Sequence, residues 1–190
     1  MTEKTHKQRM LDGELYLASD PVLAAERLRA RRMCREYNSS CEEEGGRRRE
    51  ILDQLLGTIA SEIHIEPSFK CDYGYNIHVG ENFYANFDLI ILDVCEVRIG
   101  KNCFIGPRAS ILTATHPVDP AARAAGPECG VSITIGDDVW IGAGAIINPG
   151  VELGNRVVVA SGAVVTRSFG PGVIVGGVAA KIIREIDPPA

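Results

Sequence analysis

His116 is the residue in this 190-residue chain whose surroundings most favour chemistry. It lies in ILTATHPVDP, residues 111–120, where a regular pattern of aliphatic residues stops after Ile111 and resumes only at Ile133 or Ile135. Pro117 biases the backbone of His116 towards an extended conformation, which would hold the imidazole in one direction. A histidine that merely caps a loop is the alternative. Because interruptions of a regular scaffold tend to carry function, the sequence predicts a functional role for His116.

Composition and charge exclude several classes of protein. A net charge of −5 argues against a nucleic-acid or acidic-membrane partner. The chain has no apolar run of about 18 residues, and its first residues, MTEKTHKQRM, have no apolar segment typical of a secretion signal, so we expect a cytoplasmic protein. The six cysteines form no C-x-x-C pair, and we expect them to be small buried thiols.

The sequence around His116 repeats every six residues, and we expect this repeat to form the scaffold that holds the histidine. Residues 135–170 read IGDDVW, IGAGAI, INPGVE, LGNRVV, VASGAV, VTRSFG, with an aliphatic residue first and a small or β-branched residue fifth. Glycine often takes the second place, where we expect it to supply turn dihedrals. Three such units close a triangular coil of about 18 residues. A two-residue shift in register predicts one longer coil near residue 97. The predicted fold is mainly β, a parallel β-helix.

The N-terminal third has a different pattern. Apolar residues at helical spacing predict two helices within residues 21–57, broken at 38–40, and the arginine run 47–49 is expected on a solvated helix face. We therefore predict a helical cap over residues 1–60 and a β-helix over 61–190. The segment 117–132, rich in proline and poor in apolar residues, is expected to project from the β-helix as an extruded loop before the hexads resume, and a tail ends the chain.

Several stretches together resemble the hexapeptide-repeat sugar O-acetyltransferases, the family of the maltose, galactoside and nodulation-factor acetyltransferases. They are MLDGELYLASDPVLAAERLRARRMCREYN near the N-terminus, CDYGYNIHVGENFYANFDLIILDVC, TATHPVDPAARAAG, ITIGDDVWIGAGAIINPGVELG, VVASGAVVTRS and VGGVAAKIIREI. The resemblance covers nearly the whole chain. It implies a left-handed β-helix and acetyl transfer from acetyl-CoA to a sugar hydroxyl, with a maltose- or glucose-type acceptor.

The resemblance also implies roles for residues on the acceptor side. His116 would be the general base that takes the hydroxyl proton, a task suited to neutral imidazole. Asn86 would act at the junction of acceptor and thioester, or else it satisfies turn amides at a corner. Asp72, Asp93 and Glu128 would bind the sugar, although Asp93 lies one residue before the family's acidic position, which Val94 occupies. Ala18 stands where galactoside-specific relatives have an aspartate.

On the side of the co-substrate, the resemblance implies backbone and side-chain contacts to acetyl-CoA. The backbone N–H of Ala143 would face the oxyanion, and cations would meet the phosphates. The implied acetyl-CoA residues are Asn86, Ala143, Ser161, Thr166, Arg167, Lys181 and Arg184. The family further implies a homotrimer with active sites between subunits, and no metal.

Three other functions fit parts of the sequence. A zinc hydratase of the γ-carbonic anhydrase kind would use three histidines, but His64, His78 and His116 are 14 and 38 residues apart, which does not match one edge of 18-residue coils. A non-catalytic β-helix scaffold would need neither His116 nor the cationic tail. An acetyltransferase for a galactoside, a chitooligosaccharide, an antibiotic or serine would differ only in its acceptor.

Overall fold

The computed structural model describes residues 3–187, which begin with a helical region. Its helices are α1 (His6–Leu11), α2 (Pro21–Asn38) and α3 (Gly45–Leu55), and a short α4 (Pro120–Ala124) follows much later. The Asp20 side chain accepts hydrogen bonds from the first-turn N–H groups of α2, and Pro21 occupies the first helical position, so this helix begins where the sequence favours a start. The two predicted helices are α2 and α3.

The prediction of a fully solvated arginine run is wrong for one of its three residues. Arg48 is buried, and its guanidinium donates to the hydroxyl and the carbonyl oxygen of Ser40. The helical phase of α3 turns this side chain towards the α2–α3 connection. Arg48 therefore closes the helical cap instead of facing water.

Short strands make up most of the remaining chain. In chain order they are β1 (Tyr16–Leu17), β2 (Thr58–Ile59), β3 (Ile63–Ile65), β4 (Phe69–Cys71), β5 (Ile77–Val79), β6 (Phe83–Ala85), β7 (Leu89–Leu92), β8 (Val97–Ile99), β9 (Phe104–Ile105), β10 (Ser110–Leu112), β11 (Ala114–Thr115), β12 (Pro127–Gly130), β13 (Ile133–Ile135), β14 (Trp140–Ile141), β15 (Ile146–Ile147), β16 (Glu152–Leu153), β17 (Val158–Val159), β18 (Val164–Val165), β19 (Val173–Gly176) and β20 (Lys181–Glu185).

Three sheets form the faces of a prism. The first sheet contains β2, β5, β8, β13 and β16, the second contains β3, β6, β9, β14, β17 and β19, and the third contains β4, β7, β10, β15 and β18. Within each sheet these neighbours are parallel, and the chain visits the three sheets in turn. The final strand, β20, pairs antiparallel with β19. The fold is the predicted left-handed parallel β-helix.

The hexads fill the interior of the prism as the pattern predicts. First-position residues such as Ile141 and Ile147, and fifth-position residues such as Ala145 and Ala163, are fully buried. Glycine at the second position has a different reason from the predicted one. Gly142 has no positive φ, but a Cβ there would lie 2.6 Å from the backbone nitrogen of Ser161 in the next coil. Close stacking of the coils, not turn geometry, requires this glycine.

Apart from the coil interrupted by the loop after His116, two coils are longer than 18 residues, where the sequence predicted one. On the first sheet, Thr58 pairs with His78 and His78 with Arg98, steps of 20 residues, whereas Thr134 and Glu152 are 18 apart. The extra residues lie where the chain passes from the third sheet to the first. We call these segments the wide corners 72–76 and 93–96.

The segment after His116 does not simply project from the prism. It contains α4 and β12, and β12 pairs antiparallel with β11 on one side and with β1 on the other. Tyr16 thereby lies opposite Glu128, and Thr115 opposite Cys129. The helical cap and the loop are joined in one three-stranded sheet above the wide corners.

Candidate active site

His116 follows β11 directly, at the base of the loop, and its side chain is 52% exposed. Its Nε2 atom lies 3.8 Å from Oε2 of Glu128, which β12 brings across the small sheet. The imidazole is therefore open to solvent on one side and faces a carboxylate on the other. A base that must reach an incoming hydroxyl needs this combination of access and orientation.

Glu128 is held in place by the helical cap. The hydroxyl of the buried Tyr16 donates to its Oε1 atom at 2.5 Å. Burial first, and the neighbouring Glu128 second, raise the pKa of Tyr16, so the hydroxyl stays a donor. The contact joins residues 112 positions apart, and no feature of the sequence indicated Tyr16 as part of the site.

Asp72 lies on the wide corner 72–76, close enough to Glu128 for the two carboxylates to interact. Burial is the main reason that the pKa of Asp72 is raised, and the charge of Glu128 adds to the effect, while Arg27 and Arg31 oppose it. Arg27 donates to the Tyr73 hydroxyl at 2.7 Å and also to the carbonyl oxygen of Ala18. Two carboxylates framed by an arginine and tyrosines can accept hydrogen bonds from sugar hydroxyls.

Asp93 does not fit its predicted role as a sugar ligand. Its side chain is fully buried, with Oδ1 accepting from the backbone N–H groups of Asp72 (3.0 Å) and Tyr73 (2.9 Å) and Oδ2 from that of Gly74 (2.6 Å). Both oxygens are thus occupied by the wide corner 72–76. Asp93 fixes the backbone on which Asp72 stands, a positioning role instead of a binding one.

The remaining predicted residues lie elsewhere on the prism. Asn86, Ala143 and Ser161 occupy stacked corners along the edge between the second and third sheets, the edge opposite the wide corners across the third sheet. The Asn86 side chain accepts from the N–H of Phe87, the turn contact that the sequence left open as an alternative. In the described part of the chain the backbone N–H groups of Ala143 and Ser161 have no hydrogen-bond partner.

Two grooves contain predicted acetyl-CoA residues: one adjoins this edge, and the other lies at the end of the third sheet, below β18. One of about 580 Å³ includes Phe87, Pro107 and Ala143 in its lining. The other, of about 630 Å³, is lined by Thr166, Arg167 and Lys181 together with residues 178–180 and Ile182. Arg184 lies on β20 beside Ile174 and is not part of that lining. Three of the predicted acetyl-CoA residues therefore share one groove, with two cations available for phosphates.

Two kinds of feature are not found among residues 3–187. No helix there is both long and apolar enough to cross a bilayer. No group of three or more histidine, cysteine, aspartate or glutamate side chains in that part of the chain could hold a metal ion.

Sequence families match both parts of the chain. A family described as "Maltose acetyltransferase hexapeptide capping motif" matches residues 9–60, and one described as "Bacterial transferase hexapeptide (six repeats)" matches residues 132–167. A "Hexapeptide repeat of succinyl-transferase" matches residues 96–116.

Known proteins are similar over nearly the full length. The galactoside O-acetyltransferase of Escherichia coli K12 is 37% identical over 180 residues, which are 95% of this chain and 89% of that protein. A maltose O-acetyltransferase from Clostridium difficile 630 has a crystal structure with a TM-score of 0.97 and 43% identity, covering 98% of this chain and 100% of that one. A galactoside acetyltransferase solved in complex with coenzyme A gives a TM-score of 0.94 and 36% identity, with 97% and 92% covered.

Proposed function

The chain belongs to the hexapeptide-repeat family of maltose and galactoside O-acetyltransferases, and from this premise we propose that it transfers the acetyl group of acetyl-CoA to a hydroxyl of a maltose- or glucose-type sugar. As a family member it is an acetyl-CoA-dependent O-acetyltransferase. The choice of acceptor rests on the similarity to the maltose enzyme and on the capping motif.

One observation carries the proposal for the mechanism. His116 stands at the base of the loop with one side open to solvent, Glu128 lies beside it, and Asp72 is close enough to Glu128 for the two carboxylates to interact. Sugar hydroxyls that donate to these carboxylates would be held next to the imidazole. The site thus combines a base with acceptors for the other hydroxyls of the same sugar.

The reaction proceeds by direct attack on the thioester. His116 takes the proton of the sugar hydroxyl as its oxygen bonds to the acetyl carbonyl carbon, and the bond from that carbon to the CoA sulfur then breaks, with the proton passing to the departing thiolate. The unpartnered N–H of Ala143 is suited to the oxyanion formed in between. Asn86 would contact the reacting groups, and Ser161, Thr166, Arg167, Lys181 and Arg184 would bind CoA.

Within one chain, the Asn86–Ala143 edge and the His116 cluster lie on opposite sides of the third sheet. We therefore propose a homotrimer in which each active site combines His116 of one subunit with that edge of a neighbour. The second sheet supports such packing, because Phe104 and Trp140, paired in register on β9 and β14, are 47% and 56% exposed.

The test is an acceptor panel measured by release of free CoA thiol, with maltose, glucose, galactosides and chitooligosaccharides. We expect turnover with maltose and glucose, and His116→Ala should lower kcat by about 10²- to 10⁴-fold while acetyl-CoA still binds. His78→Ala is the matched control, since His78 lies on β5 between Thr58 and Glu96. Undiminished turnover in His116→Ala would refute the mechanism. Failure of the wild-type protein to bind CoA would favour the non-catalytic β-helix scaffold as its function.

A further inference from the structure

A groove of about 360 Å³ lies between α2 and the third sheet, and Asp72 is part of its lining. Its lining includes the apolar surfaces of Cys34, Cys71 and Leu92. Three cations belong to the same lining: Arg31 and Arg35, one turn apart on α2, and Lys70, which faces outward from β4. The groove therefore combines a carboxylate of the acceptor site with three basic side chains.

These three cations are exposed and, within residues 3–187, form no ion pair. In the part of the chain that the structure describes, no salt bridge or side-chain hydrogen bond involves Arg31, Arg35 or Lys70. Other arginines of the cap are engaged: Arg27 with Tyr73, and Arg47 with Glu36 and Glu44. The lining of this groove contains three cations and a single carboxylate, although the whole chain has a net charge of −5. The groove therefore has a locally positive electrostatic potential.

The two kinds of charge in the groove suit different parts of one molecule. Carboxylates such as Asp72 accept hydrogen bonds from neutral sugar hydroxyls but repel anions. Guanidinium and ammonium groups bind phosphate or carboxylate. Successive turns of α2 place Arg31 and Arg35 about 6 Å apart, so that both face the groove that also contains Asp72.

We propose that the preferred acceptor is a glycoside carrying an anionic group, with its sugar at Asp72 and its phosphate or carboxylate among Arg31, Arg35 and Lys70. This inference rests on the proposed acetyl transfer to sugars and narrows its substrate class. The uncharged sugars of the family panel would then be acetylated less efficiently than their anionic counterparts.

Matched disaccharides test the proposal. Maltose, maltobionate and maltose 1-phosphate share the same non-reducing glucose and differ in the charge at the other end. We expect kcat/KM at low salt to be several-fold higher for the two anions, with the preference falling as salt screens the cations. Arg35→Gln and Lys70→Gln should each reduce the anion preference about 2- to 5-fold, the range for exposed ion pairs, and leave maltose turnover unchanged.

Arg32→Gln is the matched control, because it removes the same charge from an exposed position of α2 outside the groove. An equal effect of this variant, or equal kcat/KM for charged and neutral acceptors in the wild type, would overturn the proposal while acetyl transfer itself stands. If no acceptor is acetylated, the proposed function fails, and calorimetric binding of maltose 1-phosphate decides the inference alone. Tighter binding than maltose that weakens in Arg35→Gln supports it, and equal binding overturns it.

Discussion

Replacing Asp93 by asparagine tests whether the wide corner 72–76 is held by a buried carboxylate. The side chain keeps its shape but exchanges one acceptor oxygen for an NH₂ group. Asparagine can still accept from the N–H groups of Asp72 and Tyr73 through one oxygen. It must then present a donor to the N–H of Gly74, where the wild type has an acceptor at 2.6 Å.

The expected cost follows from these contacts. An unsatisfied buried donor costs about 1–3 kcal/mol, and Asp93→Asn creates two, the N–H of Gly74 and the new NH₂ group. A destabilisation of about 3 kcal/mol corresponds to a Tm lower by about 6–12 °C in a chain of this length. The corner would also carry Asp72 away from the acceptor, and loss of one hydrogen bond to this carboxylate should lower kcat/KM for the sugar about 10- to 150-fold.

Two assays separate the effects. Thermal unfolding gives the stability, and steady-state kinetics well below Tm give KM for sugar and for acetyl-CoA separately. We expect the KM for sugar to rise and that for acetyl-CoA to stay constant. Ala143 lies on the opposite edge of the third sheet, and Thr166 and Arg167 follow β18, three strands away from β7, which precedes Asp93. Asp138→Asn is the control, since Asp138 is an exposed corner residue with a φ of 58°, a conformation that asparagine also adopts.

The reasoning fails if Asp93→Asn unfolds at the wild-type temperature, because the three backbone contacts would then contribute nothing. It also fails if the KM for acetyl-CoA rises with that for sugar. The first result would remove Asp93 as a support of the corner. The second would mean that the corner and the CoA edge are not independent.

Three further perturbations address the scaffold. Burial raises the pKa of Asp93 to about 7 from about 3.9 in an unfolded chain, so the folded state binds the carboxyl proton more tightly than the unfolded state. The free energy of unfolding of the wild type should therefore fall, relative to that of Asp93→Asn, as pH rises from about 4 to 7. A constant difference between the urea midpoints of the two proteins would contradict this expectation. Ile147→Ala, at a fully buried hexad position, should cost about 2–5 kcal/mol in urea unfolding, and a loss below 1 kcal/mol would mean that the interior collapses around the gap. Gly142→Ala places a Cβ 2.6 Å from the Ser161 nitrogen and should cost about 1–3 kcal/mol. Gly170→Ala is its control, because a Cβ there meets no atom within 4 Å and Gly170 has no positive φ; equal thermal shifts for the two would refute the stacking argument.

The interior of the β-helix could be predicted because its rule is local. Each hexad carries its own aliphatic residue, so Ile135 through Val165 identify the buried positions without any long-range information. The reason for the second-position glycines could not be predicted in this way, since it depends on the distance between stacked coils. The same holds for Arg48, because a run of three arginines does not reveal which one the helix turns inward.

The site was only partly accessible to sequence reasoning. His116, Glu128 and Asp72 could be named from the resemblance, and the structure brings them into one cluster. Tyr16 and Arg27 were missed because their contacts depend on how the cap lies over the loop, which no local pattern encodes. The predicted sugar-binding role of Asp93 is wrong because an acidic residue beside a site can equally well face the backbone.

The strand pairing of β1 with β12 has a consequence for engineering this enzyme. Some of the groups that would choose the sugar, among them Arg35 and Glu128, are contributed by the opening segment and the loop, while Asp72 is contributed by a corner of the prism beneath them. Transplanting residues 3–57, 70–76 and 113–132 together from one relative to another should carry substrate preference with them, and moving either the opening segment or the loop alone should leave β1 and β12 with mismatched partners.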